Sequence, residues 1–172
     1  MLRRTTAKQV SRVYPIFVEK YSEPAQLSRA PLSELEDALK SLGMHNVRAR
    51  QLKALSIVLI DEHNGFVPTD YEELVALPGV GSYIANAVLC FAFHHRVPMV
   101  DSNVTRIYRR AYGDDQLTHE HIMRLVSDDL PEKRFIEYNR ALLDLASLTC
   151  RAINPQCGIC PLSSACQYPS HS

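Results

Sequence analysis

Residues 77–83 read LPGVGSY, which sets Pro78, Gly79 and Gly81 between EELVAL and the apolar run YIANAVLCFAF, two flanks that both have helical character. A plain helix break needs fewer special residues. Two helices joined by a tight Gly-x-Gly hairpin can aim successive backbone N–H groups, together with the N-terminus of the second helix, at an anion. Side chains at the glycine positions would block close approach of a phosphate. Gly79 and Gly81 are therefore expected to clamp a nucleic-acid backbone, a contact that reads no sequence. An ordinary helix–helix turn uses the same residues, and the Gly-x-Gly pattern alone does not separate the two readings.

Outward from this turn the signals are helical. Apolar residues recur at three- and four-residue spacing in Val10, Val13, Ile16, Phe17, in Leu32, Leu35, Leu39, Leu42, and in Leu52, Leu55, Val58, Leu59. Further helices are expected at 70–76, 82–94, 102–112, 119–129 and 134–149. No stretch alternates as a strand does, so the class is all-α. Ser33, Thr69, Asp101 and Thr118 are the expected helix caps, and Gly43, Gly65 and Gly113 the expected stops.

The 172-residue chain is long enough for one or two small domains with a real core, and 46% of it is hydrophobic. The start MLRRTTAKQ lacks the apolar stretch of a secretory signal, and no apolar run approaches the length of a membrane span. A soluble, cytoplasmic location is expected, without membrane attachment. Lys+Arg and Asp+Glu are both 19, so net charge gives no argument for a polyanionic partner. The distribution says more: Arg3, Arg4, Lys8 and Arg12 lie together, as do Arg48, Arg50 and Lys53, and Arg106, Arg109 and Arg110. A neutral sum hides a basic face as readily as it reflects scattered solvated charges.

Twenty residues after Gly81 comes Asp101, in VPMVDSNVTRIYRR, at the start of a helix whose next turn carries the third arginine group. On local grounds it is an N-cap. A phosphate-binding hairpin, a carboxylate downstream and a terminal cysteine loop nevertheless coincide in one helical chain. That loop, CRAINPQCGICPLSSAC, holds Cys150, Cys157, Cys160 and Cys166 within 17 residues rich in Pro and Gly, with little else to form a core. Without export signals, metal or cluster ligation is a better reading than disulfides. Zinc would accept the same four thiolates; the C-x6-C-x2-C-x5-C spacing better suits one loop wrapped round a bulky iron–sulfur cubane. Cys90, within ANAVLCFAF, reads as a core residue.

These stretches resemble the helix–hairpin–helix DNA glycosylases of the endonuclease III type, which carry a four-iron, four-sulfur cluster. LPGVGSYIANAVL looks like their hairpin, VDSNVTRI like their catalytic aspartate segment, and the cysteine loop like their cluster loop with identical spacing. The resemblance runs essentially from end to end. In that family the residue after GVGx separates the branches: Lys where the enzyme also cuts the strand, usually Ser in adenine glycosylases, and Tyr in thymine–guanine mismatch glycosylases. Here it is Tyr83. MLRRTTAKQV is similar to the mismatch enzymes' helix, and SLGMHNVRARQLKAL to the helix after the wedge loop.

The resemblance implies a helix–hairpin–helix glycosylase fold, a helical bundle with a C-terminal iron–sulfur loop. Residues 20–130 would form the domain with the hairpin, and 1–19 with 131–172 the cluster-side domain, its loop at 150–166. Asp101 would be the catalytic carboxylate, with Tyr83 stacked on the extruded base. Gly79 and Gly81 would hold a DNA phosphate, Arg4 and Met44 would fill the gap left by the base, and the four loop cysteines would bind a [4Fe-4S] cluster. The expected activity is monofunctional: a monomer acting on double-stranded DNA, hydrolysing the N-glycosidic bond of thymine or uracil opposite guanine. Such mispairs cost less to flip than matched pairs. Tyr83 could instead pack its ring into the core. Adenine removal opposite oxidised guanine and a non-catalytic DNA-binding module are the alternatives; release of free base separates the module from both enzymes. The family has a further N-terminal segment, with a Glu just before the position matching Met1, and this chain begins after it; the expectation is a shortened member or a fragment.

Overall fold

The structure is a computed structural model that describes residues 5–168. Among the described residues every regular element is a helix. Contacts cluster in two compact units, Met1–Gly81 and Ser82–Ser172.

In the first unit come α1 (Ala7–Lys20), α2 (Pro24–Arg29), α3 (Leu32–Leu39), α4 (His45–His63) and α5 (Tyr71–Ala76). Helix α1 begins at a capping box, with Thr6 Oγ1 accepting from the Gln9 N–H while the Gln9 side chain accepts from the Thr6 N–H. Its inward stripe is Val10, Val13, Phe17 and Tyr21, the first two partly buried and the last two buried. Ile16 lies off that stripe and is exposed, contrary to the spacing argument. Phe17, Tyr21, Ala30, Leu35, Leu39, Leu42 and Ala49 form the core, and α4 packs on both α2 and α3. Leu35 and Leu39 are fully buried, each stabilising by about 1.5–3 kcal/mol. Helix α2 was not legible as a helix in the sequence. Its six residues are too few to show a period, and its end is satisfied from outside: Lys53 Nζ on α4 donates to the carbonyls of Ser28 and Ala30 at 2.7 and 2.6 Å.

The second unit contains α6 (Ser82–Phe91), α7 (Ser102–Tyr112), α8 (His119–Asp129) and α9 (Phe135–Asp144). Its core joins Val100 to Val104, Ile107 and Tyr108 of α7, Ile122 and Val126 of α8, and Leu142 and Ala146. Thr118 and Asp101 cap as expected, and Gly113 ends α7 in the left-handed conformation, φ 65°. Two expected caps are displaced. Asp70, one residue after Thr69, takes the N–H groups of Glu72 and Glu73, and α3 starts after Pro31 with Ser33 already inside it. Two helices are shorter than expected. Helix α6 stops at Phe91 because His94, φ 57°, turns the chain so that the His95 N–H returns to the Leu89 carbonyl. The stretch expected as one helix over 134–149 is α9 followed by a wider π turn, Leu145–Thr149, in which the Cys150 N–H reaches the Leu145 carbonyl at 2.7 Å.

Candidate functional site

The turn in LPGV has a local cause. The Val80 N–H donates to the Leu77 carbonyl at 3.1 Å, Pro78 fixes the first central residue, and Gly79 has φ 79°. That is a type II turn, which favours Pro at its first central position and needs positive φ at its second. A Cβ on Gly79 would also meet Gln51 side-chain carbons on α4 at 3.1–3.4 Å. Gly81 differs. Its φ is not positive, and an added Cβ there would meet nothing within 4 Å. Neither conformation nor a protein neighbour demands glycine at 81, so what its absent side chain provides is open space beside the start of α6, where backbone N–H groups lack intrahelical acceptors.

Met44, also in the first unit, stands in a tight corner. Gly43 and Met44 have φ 65° and 51°; Thr5 Oγ1 donating to the Leu42 carbonyl and Gln9 Nε2 to that of Ser41 tie the corner to the segment before and within α1, and Arg48 Nε on α4 donates to the carbonyl of Gly43. The Met44 side chain is 38% exposed at the tip of this corner. Arg4 lies outside the described residues.

In the second unit Tyr83 lies within electrostatic reach of Asp101. Tyr83 is half-buried on the first turn of α6, and its phenol pKa is raised, first by burial and then by the negative charge of Asp101. Asp101 is both cap and candidate catalytic group. Oδ1 accepts from the N–H groups of Asn103 and Val104 at 2.8 and 2.9 Å, and Oδ2 from Asn103 Nδ2 at 2.8 Å. The carboxylate is thereby held in one orientation.

From this carboxylate a hydrogen-bonded path leads to the cysteine loop. Asn103 Oδ1 accepts from Arg106 Nη1 at 2.9 Å, and the same guanidinium donates to the carbonyls of Cys150 and Ala146 at 3.0 and 3.1 Å. The Ala146 carbonyl lies in the π turn, where backbone acceptors are released from the regular ladder. Arg110, one turn on, donates to the carbonyls of Arg151 and Ala152, approaches Cys150 Sγ at 3.5 Å, and stacks over Tyr168 at 4.4 Å. The Gln167 N–H closes the loop on the Ala111 carbonyl at 3.0 Å.

Cys150, Cys157, Cys160 and Cys166 all line one cavity, with Arg110 and Tyr168 on its wall. None of the five cysteines is in a disulfide, and Cys90 is buried. Among the described residues no three Cys, His, Asp or Glu side chains are grouped as a site for one metal ion. Four thiols round a shared space, with a guanidinium against one sulfur, form a donor set that fits an anionic cluster larger than a single ion.

Sequence reasoning missed Asn103, Arg106 and Arg110 as links between the Asp101 cap and the loop. It also missed two buried amides, Asn86 and Asn139. Each lies on the buried face of its helix, Asn139 in register with Leu142 and Ala146. A polar residue on an apolar stripe was the available signal.

The chain aligns over 172 residues with a thymine/uracil-DNA glycosylase of Methanothermobacter thermautotrophicus at 34% identity, covering 98% of this chain and 78% of that one. Its fold is similar to the structure of a thermostable thymine-DNA glycosylase, with TM-score 0.92, 35% identity, and coverage of 97% of this chain and 79% of the other. It is also similar to a trapped endonuclease III–DNA covalent intermediate, with TM-score 0.89, 31% identity, and coverage of 96% and 78%. Residues 1–132 match the model of the HhH-GPD superfamily base excision DNA repair proteins. A Gly-Val-Gly turn entering α6, a capped aspartate at the head of α7 and a fold shared with these structures thus sit in one chain, which belongs to the HhH-GPD superfamily of base excision DNA repair proteins.

Proposed function

We propose that this protein is a monofunctional DNA glycosylase that hydrolyses the N-glycosidic bond of thymine or uracil opposite guanine in double-stranded DNA, acting as a monomer in the nucleoid. The observation that carries the reading is the pair Tyr83–Asp101, a half-buried phenol in the field of a fixed carboxylate, with Tyr where a strand-cutting enzyme needs an amine. As the glycosidic bond breaks, positive charge grows on the sugar. Asp101 opposes that charge and orients a water toward the anomeric carbon. Two backbone N–H bonds and one from Asn103 keep its oxygens from rotating away. Tyr83, a phenol that is neutral at physiological pH and whose raised pKa keeps it so to higher pH, offers an aromatic face to the extruded pyrimidine.

The remaining roles follow the layout. Gly79 and Gly81 admit a phosphate to the start of α6. Met44, with Arg4, fills the space left by the flipped base. Residues 20–130 form the domain around the hairpin, and 1–19 with 131–172 the cluster-side domain. The four loop cysteines hold a [4Fe-4S] cluster, for which their shared cavity and the Arg110 guanidinium are suited. Bound there, the cluster supplies iron–thiolate bonds that fix the loop.

The test is release of free base from duplexes carrying one G·T, G·U or oxidised guanine·A pair. Thymine or uracil release is expected, with an intact strand and little borohydride-trapped complex. Asp101→Asn should keep duplex affinity while release falls at least about 100-fold, since Asn still caps. Adenine release would move the assignment to the other branch, efficient trapping would end the monofunctional reading, and equal turnover by the variant would leave Asp101 a cap alone.

A further inference from the structure

Asp101 is reached through Val97, Pro98, Met99 and Val100, which have no regular secondary structure. Met99 and Val100 are buried, so their backbone groups must find partners within the protein. No strand lies alongside among the described residues. For the Met99 N–H and the carbonyls of Val97 and Pro98 the partners are side chains. Asn139 on α9, 1% exposed, accepts from the Met99 N–H through Oδ1 at 3.1 Å and donates through Nδ2 to the Val97 carbonyl at 3.1 Å. Asn86 on α6, 6% exposed, donates from Nδ2 to the Pro98 carbonyl at 3.0 Å.

The pattern is that of a sheet. A carbonyl at one residue and an N–H two residues on are the pair that a neighbouring strand would engage; a primary amide presents the complementary acceptor and donor in one plane. Pro98, between them, has no N–H to satisfy, and its carbonyl points to the other amide. The bonds also fix the orientation of the Asn139 amide, because exchanging its oxygen and nitrogen would set two donors and two acceptors against each other. Asn86 follows Tyr83 by three residues, so the two share a face of α6. The helix that carries the ring therefore also grips the segment that leads to the carboxylate.

We propose that Asn139 and Asn86 are positioning residues for Asp101, serving together as the strand partner that Val97–Met99 lacks and setting the carboxylate against the Tyr83 ring. Neither amide touches the reacting atoms. Their kinetic consequence rests on the glycosylase reading; the anchoring itself does not. An aspartate carried one residue beyond a loosened segment wanders by an ångström or so, and displacement of that size costs about 100-fold in rate.

The experiment pairs two measurements on Asn86→Ala and Asn139→Leu in the full chain, well below their melting temperatures. The first is backbone amide exchange over residues 97–104. The second is the single-turnover rate of base release from a G·U duplex, set against the dissociation constant for the same duplex. Faster exchange confined to 97–104 is expected, with release slowed about 10- to 100-fold and affinity within about twofold. Asn139→Leu leaves a buried N–H and carbonyl without partners; if it does not fold, Asn86→Ala, which strands only the Pro98 carbonyl, decides. Unchanged exchange, or faster exchange with an unchanged release rate, overturns the proposal. Loss of rate and affinity in equal measure also overturns it, since that marks a general structural defect. A wild type that releases no base from any mispair defeats the glycosylase reading instead, and the exchange result alone then decides whether the amides hold the segment.

Discussion

Residues 97–101 and 150–166 both lie mostly outside regular helix, and they are held in opposite ways. In the first, Met99 and Val100 are buried, the backbone of 97–99 is met by two internal amides, and the Asp101 carboxylate takes the N–H groups at the start of α7. These bonds come from the polypeptide itself. The second is tied to α7 near its two ends, by Arg106 and Arg110 reaching the carbonyls at 150, 151 and 152 and by the Gln167 N–H on the Ala111 carbonyl. Its apolar side chains do not form a core, with Ile153 80% and Ile159 74% exposed. Its four thiols face a cavity instead. A segment that buries little and encloses four ligands takes its rigidity from what those ligands bind.

The largest effect that would sharpen this contrast is removal of one thiolate. Cys160→Ser should lower iron from roughly four per chain and remove the brown colour. Protease cleavage should then fall between 150 and 168, while α6 to α9 keep their helicity. A local loss of about 2 kcal/mol raises the open population some 30-fold, and cleavage follows that population. A colourless wild type with one stoichiometric zinc would break the cluster assignment. Equal protease resistance in the variant would show that the arginines suffice to order the loop.

The same contrast explains what could be read from the residues alone. Helices with a clear apolar stripe, such as α3 and α8, lie where spacing put them, because their burial is one-sided and the period survives. LPGVGSY was legible because Pro and Gly have few uses, and a type II turn is one of them. The gathering of the four loop cysteines round one space was legible because thiol spacing needs no fold to be recognised. The anchors were not. Asn86, Asn139 and Arg106 act across 12, 42 and 44 residues of sequence, so nothing local distinguishes their use from any other buried amide or surface arginine. The end of α6 and the π turn escaped for a related reason: YIANAVLCFAF and the stretch to Thr149 carry apolar residues past the point where backbone hydrogen bonds change partner.

Arg106 joins the two regions, and its removal tests whether they are independent. Arg106→Ala deletes three hydrogen bonds from a charged donor, one toward the Asp101 cap and two toward the loop. Partial exposure reduces their net worth, and a loss of about 2 kcal/mol is expected, or roughly 4–8 °C in melting temperature. Base release should fall by less than in Asp101→Asn, because the backbone N–H bonds to Oδ1 persist. Arg106→Lys should recover little, since a lysine ammonium lacks the planar fork that reaches three acceptors. If the alanine variant loses iron as readily as Cys160→Ser, the contrast fails and the two regions form one cooperative unit.

The smallest effect concerns the phenol of Tyr83. Its pKa is raised by burial first and by the Asp101 charge second. Tyrosinate is anionic, so a nearby carboxylate disfavours it; replacing Asp101 by Asn removes that contribution and leaves burial in place. The pKa should fall in Asp101→Asn yet remain above the ordinary phenol value, a shift that ring-carbon resonances of labelled tyrosine would follow as pH rises. Tyr108 supplies the control. Its pKa is also raised, by burial and by its hydrogen bonds to Tyr138 and Asp129, with no contribution from Asp101, so it should not move. Cys160→Ser should leave Tyr83 unmoved as well, if the carboxylate is held from within the protein. Because the folded-state pKa lies above the unfolded one, the stabilisation linked to Tyr83 is complete below the ordinary phenol range and is lost only as pH climbs through the raised value. Tyr83 therefore contributes no alkaline limb to base release between about pH 6 and 9. A Tyr83 titration that ignored Asp101→Asn would separate the ring from the carboxylate and leave the proposed pocket without its second wall.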